Sequence, residues 1–478
     1  MRHLNLLLWG LLAPFIALSQ DCGCPETLQW LKSTFEQNDA GFTYAIEAKG
    51  EEAYRAHHAA IEARANTADG VEACTGLLEE WLGFFRSGHI GIFAMDPGSN
   101  DAAAADESDE AIRRRFADWE SHEVDLEAFK KDLQSKSDPG PEGIWESPPY
   151  RIGVKRVGEE FVGFVIEADG VYWQPGQVKF RIPAEGKIVY YMRDHSPRYL
   201  DGYQMLGKNF MTMGFVQLRR SFPVYETEPA LERYLDLVQA QGPSLRRLSE
   251  EALLLRIPDF SGSQKRAIDS LLRTNHETII NTPRLVIDLR GNTGGSDYSY
   301  ENIIPYLYTN PIRTVGVEFL STELNNARML QFMEDPDFPE SEKEWANEAY
   351  QRLQEKMGTF VNLEEEVVSL TTHDQIYFQP ERVSILIDDN CASTTEQFLL
   401  AAKQSSKVKL YGTTTFGALD ISNMNVAISP CQQYQLAYCL SRSMRIPQLT
   451  IDEKGIQPDY FIDRSVPPYQ WLDFVLER

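Results

Sequence analysis

Apolar residues change their spacing twice along this chain, and each spacing predicts a different kind of element. Leu28, Trp30, Leu31 and Phe35, and later Cys74, Leu77, Leu78, Trp81, Leu82 and Phe85, recur at helical intervals, so residues 24–94 read as helical. The second helix is expected to stop near Ser87-Gly88, which puts His89 just past a helix end. From Met95 to Ala105 the Pro, Gly, Asn, Asp and Ala content predicts a surface loop, continued by the acidic run Asp106-Glu107-Ser108-Asp109-Glu110. A charged helix over about 111–134 is expected to follow.

Between residue 140 and about 240 the pattern turns to short strands separated by Gly- and Pro-bearing turns: Tyr150–Val154, Phe161–Ile166 and Val178–Ile182. From Leu253 onward strands and helices alternate. Leu285–Leu289 and Val383–Ile387 are short, nearly unbroken apolar runs, the kind that fill a parallel sheet covered on both faces. The acidic, Pro-bearing stretch Met333–Glu344 between them reads as an exposed insertion. No repeat recurs at solenoid spacing.

The first residues alter the picture. Met1-Arg2-His3 precedes an apolar run, Leu4 to Leu18, that ends in Ala17-Leu18-Ser19, a small-x-small cleavage site; residues 1–19 are therefore expected to be a secretory signal peptide. The run is shorter than the ~20 residues of a membrane span, no other segment is long enough, and Asp21 disfavours a lipid on Cys22. The mature protein is expected to be soluble and exported, periplasmic or extracellular. Its formal net charge of −25 repels nucleic acid and anionic membrane surfaces, so neither is expected as a partner. A chain of 478 residues exceeds what one core fills, since cores stop growing at roughly 250–300 residues.

Six cysteines in an exported chain make disulfides expected. The favoured pairings are Cys431 with Cys439 across a hairpin, and Cys22 or Cys24 with Cys74. Cys391 reads as a small buried apolar residue. The histidines, His57-His58 and His276 among them, show no metal-ligand spacing, so neither a metal nor a cofactor is expected.

Candidate chemistry gathers where the two apolar strands end. Leu285–Leu289 runs into Arg290-Gly291-Asn292-Thr293-Gly294-Gly295, a turn whose bare amides suit an oxyanion; it has neither the lysine of a P-loop nor a G-x-G-x-x-G, so a phosphate cradle is disfavoured. Val383–Ile387 ends in Asp388-Asp389-Asn390-Cys391-Ala392-Ser393-Thr394, a strand–turn–helix with Ser393 at the helix start. A hydroxyl there is usually an N-cap. It also suits a nucleophile, because the Thr394 amide and the helix dipole favour negative charge beside it. No G-x-S-x-G elbow surrounds it.

Four stretches, Ile287–Gly295, Ala392–Glu396, Gly412-Thr413-Thr414-Thr415-Phe416-Gly417 and Gly455-Ile456-Gln457-Pro458-Asp459, resemble in order the motifs of the tail-specific, C-terminal-processing protease family over about 245–478. The resemblance implies an α/β, ClpP/crotonase-like catalytic domain and a serine-type peptidase acting on peptides or unfolded protein. In the Ser/Lys members a lysine follows the Phe-Gly of the third motif; here that position is Ala418. The chain is more similar to the branch typified by the tricorn protease core, in which an N-terminal histidine is the base and a glutamate stands before the Gly-x-x-Pro-Asp motif. The matching residues are His89 and Glu453, while Gly88 replaces the small hydroxyl residue before that histidine. The expected site is thus Ser393 as nucleophile, His89 as general base, Glu453 as orienting group, and an oxyanion hole of Gly294, Gly295 and Thr394. The expected organisation is a signal peptide (1–19), a helical cap (20–138), a small β domain (139–244) without a clear PDZ carboxylate loop, and the catalytic domain (245–478). The alternative is a binding or scaffold module that keeps the fold without catalysis; neither substrate nor oligomeric state follows from the sequence.

Overall fold

The computed structural model describes residues 23–95, 108–122, 124–138, 140–336 and 340–478; the expected signal peptide, Cys22 and most of the acidic loop after Met95 lie outside the described residues. The chain forms two compact units, residues 1–97 with 242–461, and residues 98–241 with 462–478.

The first unit is built on a six-stranded sheet in the order Ser244–Arg247, Ala252–Arg256, Arg284–Asp288, Arg382–Ile387, Val408–Gly412, Tyr460–Phe461. Its strands run parallel except at the Ser244 edge, with Ile287 opposite Ile385 and Ile385 opposite Leu410. The apolar runs are buried because both faces are covered: Leu253, Leu255, Ile287, Ile385 and Leu410 share one core with Phe398 and Leu399 of the helix Thr394–Ala402.

A second sheet of the same unit centres on the strand Tyr434–Ser443, which pairs with Ile421–Ile428 on one side and with Gly91–Ala94 and Val317–Leu320 on the other. The N-terminal helices Cys24–Asn38, Phe42–Lys49, Glu51–Ala65 and Gly70–Leu82, with Phe85 in the turn that follows, share one core of Leu31, Phe35, Trp81 and Phe85 with Tyr434, Leu436 and Tyr438 of this sheet. The first helix carries Pro25 in its first turn, where the missing N–H has no partner to lose. Cys24 is disulfide-bonded to Cys74, as one of the expected pairings had it. The Cys431–Cys439 pairing is corrected: Cys431 is disulfide-bonded, whereas Cys439 is a free, buried thiol. Cys439 lies opposite Met424 inside the ladder, five residues beyond the strand start at Tyr434, roughly 17 Å along the strand and out of reach of a cysteine in the turn.

Of two further expectations, the acidic insertion is filled in and the charged helix is corrected. Around the acidic stretch Met333–Glu344 the helix Glu323–Glu334 ends and the helix Glu340–Gln354 begins, and these two helices bury Met329, Ala349 and Leu353 in a small core, while the described residues of the stretch itself are exposed or half-buried. In the second unit the helix expected over about 111–134 is split into Asp109–Arg115 and Leu126–Ser135. Trp119 donates to the Val178 carbonyl and Ser121 bridges Gln177, so residues 119–121 follow a strand edge, and Asp125 caps the next helix, accepting from the Glu127 and Ala128 amides.

The second unit is otherwise a nine-stranded antiparallel sheet that includes the expected strands, with a core of Trp145, Ile152, Phe180, Met211 and Leu218. The C-terminal residues return to it through an ion pair between Arg233 and Asp473 at 2.5 Å. Among the described residues no helix is long and apolar enough to cross a membrane.

Candidate active site

The neighbouring parallel strands Arg284–Asp288 and Arg382–Ile387 deliver both candidate turns to the same end of the sheet, where open α/β folds place their ligands. Fully buried Asp288 anchors the first turn. Burial opposes its charge, but Arg290 at 2.7 Å and Arg256 at 3.7 Å hold its carboxyl below the usual range. Asp388, at the end of the other strand, accepts the Gly291 N–H at 2.9 Å and so joins the two turns.

Asn292 ties the turns together more tightly. Completely buried, it donates to the Ile257 carbonyl at 3.2 Å, and its Oδ1 accepts from Gly294 N–H at 3.0 Å and from Thr395 Oγ1 at 2.7 Å. Gly294 is thereby pressed onto the nucleophile turn: a Cβ there would lie 2.7 Å from Ser393 Cβ and 2.9 Å from Thr394 N. Since the Gly294 N–H is taken by Asn292, the amides of Gly295 and Thr394 are the ones that donate to no backbone or side-chain acceptor among the described residues.

Ser393 has φ +58° and ψ −124°, a strained conformation for a residue with a Cβ. It is the strand-to-helix geometry of a nucleophile elbow, reached without the glycines of that motif. Its N–H donates to Ala418 O at 3.0 Å and to Glu396 Oε2 at 3.2 Å. Glu396 is itself wholly buried and also accepts from Thr415 Oγ1 at 2.5 Å, Gly417 N–H at 2.9 Å and Ala418 N–H at 2.9 Å. Burial pushes its carboxyl above the ordinary value, against those donors. One buried carboxylate therefore clamps the loop 415–418 to the start of the Ser393 helix. Cys391 is buried, donates to Leu289 O at 3.2 Å, and has its thiol pushed well up by burial.

His89 reaches this loop from the N-terminal residues. A Cβ on Gly88 would stand 2.5 Å from Ala418 Cβ, so the two chains touch there, and the Ala418 carbonyl is the one that receives the Ser393 amide. The single methyl of Ala418 and the bare Cα of Gly88 allow this close approach. Arg86, paired in the interior with Asp39 at 2.6 Å, holds the backbone of this segment by donating to Gly88 O at 3.1 Å and His89 O at 2.9 Å. His89 Nδ1 lies 2.7 Å from Ile421 O. A carbonyl only accepts, so Nδ1 carries the proton and Nε2 keeps its lone pair. Burial, assisted by Arg86, lowers the pKa of the imidazole, with the Ile421 bond opposing. Nε2 has no hydrogen-bond partner among the described residues, and no bond joins it to Ser393 Oγ; catalytic contacts of this kind commonly tighten only with substrate bound.

Glu453 is placed differently. Its backbone, at φ +63°, donates to Gly417 O at 2.9 Å, whereas its carboxylate is half exposed and lies 3.6 Å from Lys49 Nζ. The structure therefore sets Gly294 against Ser393 and Thr394, ties Ser393 and the segment bearing His89 to Ala418, and joins Glu453 to the same loop through its backbone at Gly417.

Residues 251–462 match the model of peptidase family S41. This stretch belongs to that family. The S41 match contains Ser393, both glycines, Thr394 and Glu453 and makes the chain a serine-type peptidase in class; His89 lies outside it, on the N-terminal residues. Mature CPAF in complex with lactacystin is similar over 95% of this chain and 97% of its own at 12% identity and a TM-score of 0.51. A CPAF point variant is similar over 92% of each chain at 14% identity and a TM-score of 0.50. The photosystem II D1 C-terminal processing protease aligns over 96% of this chain and 98% of its own at 12% identity, with a TM-score of 0.39. Likeness at such identity concerns the fold alone. No curated protein sequence matches the chain.

Asn292 and Glu396, which hold the turns of the candidate site, were not among the expected site residues. Glu396 had left a signal, the Ser-x-x-Glu spacing of a capping box. Asn292 had left none beyond its place in a glycine turn.

Proposed function

We propose that this chain is an exported serine peptidase that cleaves peptides or unfolded protein segments through an acyl-enzyme on Ser393, with His89 as the general base. The observation that carries this is the Nδ1–H bond of His89 to Ile421 O, which leaves Nε2 as a free base beside the loop that holds the strained Ser393. Nε2 would take the Ser393 hydroxyl proton as Oγ attacks the scissile carbonyl carbon, and the Gly295 and Thr394 amides would receive the oxyanion. Collapse breaks the C–N bond, and the imidazolium returns the proton to the leaving amine. Water, deprotonated by the same nitrogen, then releases the acyl group. Glu453 would tune this site from its turn. Export is supported by the secretory pattern of residues 1–19 and by the Cys24–Cys74 disulfide, a bond characteristic of oxidising compartments.

The unmade Ser393–His89 hydrogen bond is what a non-catalytic binding module would also show. A fluorophosphonate probe separates the two readings: labelling at Ser393 that vanishes in Ser393→Ala and His89→Ala supports the peptidase, and a folded wild type that takes no label supports the binding module.

A further inference from the structure

Two carboxylates beside the site have no part in the mechanism above, yet they hold the segment between its two reactive residues. Asp452 Oδ1 accepts from the amides of Leu419 and Asp420, each at 2.6 Å, and its Oδ2 accepts from Ile421 N–H at 3.2 Å. Asp420, completely buried, reciprocates: its Oδ2 accepts from the amides of Ile451 at 2.5 Å and Asp452 at 2.9 Å, and its Oδ1 from Arg445 at 3.2 Å. Five backbone amides thus close on two acidic side chains, lacing residues 419–421 to the turn 451–455.

The laced segment has catalytic neighbours at both ends. Ala418 O, one residue before it, receives the Ser393 amide, and Ile421 O, its last carbonyl, receives the proton-bearing nitrogen of His89. On the other side of the lacing, Glu453 follows Asp452 directly. We propose that Asp452, seconded by Asp420, is a positioning residue that sets the general base His89 against Ser393 by fixing residues 419–421, and that it does so only as the carboxylate. This deepens the peptidase reading and rests on it.

Ionisation matters because all three donors to Asp452 are N–H groups, which a protonated carboxyl oxygen cannot accept through its O–H. The titratable groups facing Asp452 are Asp420, Arg86 and the Cys439 thiol, which burial keeps neutral, with Arg445 reaching it through Asp420. Burial and the Asp420 charge push the Asp452 carboxyl up to about 6, so the lacing would loosen within the range where exported enzymes work.

The test is the rate of fluorophosphonate labelling of Ser393 against pH for the wild type, Asp452→Asn and Asp452→Glu, with imidazole-nitrogen NMR of His89 in the same proteins and thermal melts to confirm folding. In Asp452→Asn an N–H₂ faces one of the three amides. Labelling is expected to slow about tenfold to a hundredfold, the scale of a small misplacement of a reacting group, with probe affinity little changed. The acid limb of its profile should lose the contribution of Asp452 and follow His89 alone, and Asp452→Glu should restore part of the rate. His89 should lose its fixed Nδ1–H tautomer in Asp452→Asn, and in the wild type on acidification through about pH 6. An Asp452→Asn protein that labels at the wild-type rate with an unmoved acid limb overturns the proposal. If that variant does not fold, a wild-type His89 tautomer that is indifferent to pH across this range overturns it. If the wild type takes no label at all, the peptidase reading fails by itself, and the His89 tautomer in Asp452→Asn still decides the positioning role.

Discussion

His89 Nδ1 donates to the carbonyl of Ile421 at 2.7 Å, across 332 residues of sequence. That bond chooses the tautomer and turns a histidine after a helix end into a candidate base. Removing the imidazole in His89→Ala, or the nucleophile in Ser393→Ala, is expected to lower hydrolysis of an unfolded substrate such as casein by about 10³-fold or more, with the double variant no worse than either single one. Glu453→Gln, whose carboxylate meets solvent and Lys49, should cost less than about tenfold.

The pH dependence follows from the lowered pKa of His89. The base is active when neutral, and burial keeps it neutral below the ordinary imidazole value, so Ser393 labelling should hold its plateau below pH ~6.5 before it falls. On stability the same shift acts in the other sense from that of Asp452. The unfolded chain protonates His89 first, so this group favours the fold above pH ~6.5 and that contribution is lost as pH falls; Asp452, raised to about 6, is protonated first in the folded chain and favours the fold as pH falls from about 6 toward the ordinary carboxylate value near ~4. Urea titrations of His89→Ala and Asp452→Asn across this range read the two signs separately.

Close approach at Gly88 makes a steric prediction. Gly88→Ala places a Cβ 2.5 Å from that of Ala418 and should slow labelling of Ser393 by at least about tenfold. Adding Ala418→Gly to that variant should recover part of the loss, and labelling rates of the two single variants and the double variant measure the coupling.

Glu396 holds four donors with one buried carboxylate. Glu396→Gln turns an acceptor toward those donors into an N–H₂, and is expected to cost about 1–3 kcal/mol in denaturant unfolding. The loop 415–418 should become more susceptible to proteolysis in that variant.

The Cys24–Cys74 bond closes a loop across a sequence separation of 50. Its removal by Cys24→Ala with Cys74→Ala should destabilise the first unit by about 3–4 kcal/mol, measured by urea unfolding without reductant.

Much of the frame is legible in the sequence because it follows from local rules. The apolar runs Leu285–Leu289 and Val383–Ile387 had to be buried strands, and the glycine turn and helix start that follow them had to meet once the strands lay side by side. The helical spacing of Leu28, Leu31 and Phe35 likewise needed no partner to be recognised. What escaped was what distant residues decide. The expected helix over about 111–134 broke because Trp119 and Ser121 found partners on another strand, and Cys431 missed Cys439 because pairing register, which is invisible in a seven-residue gap, put the thiol inside the ladder.

At the site the same division holds. Residue types, their order and the family resemblance they carry were enough to single out Ser393, its neighbouring amides and the missing lysine as candidates. Only the tertiary structure decided which nitrogen of His89 bears the proton, that Asn292 rather than an oxyanion holds the Gly294 amide, that the Glu453 carboxylate turns to solvent, and that Glu396, Asp420 and Asp452 bind the loops together. Each of these depends on a donor meeting an acceptor from a remote part of the chain, and hydrogen bonds act over about 3 Å in space without regard to separation along the sequence.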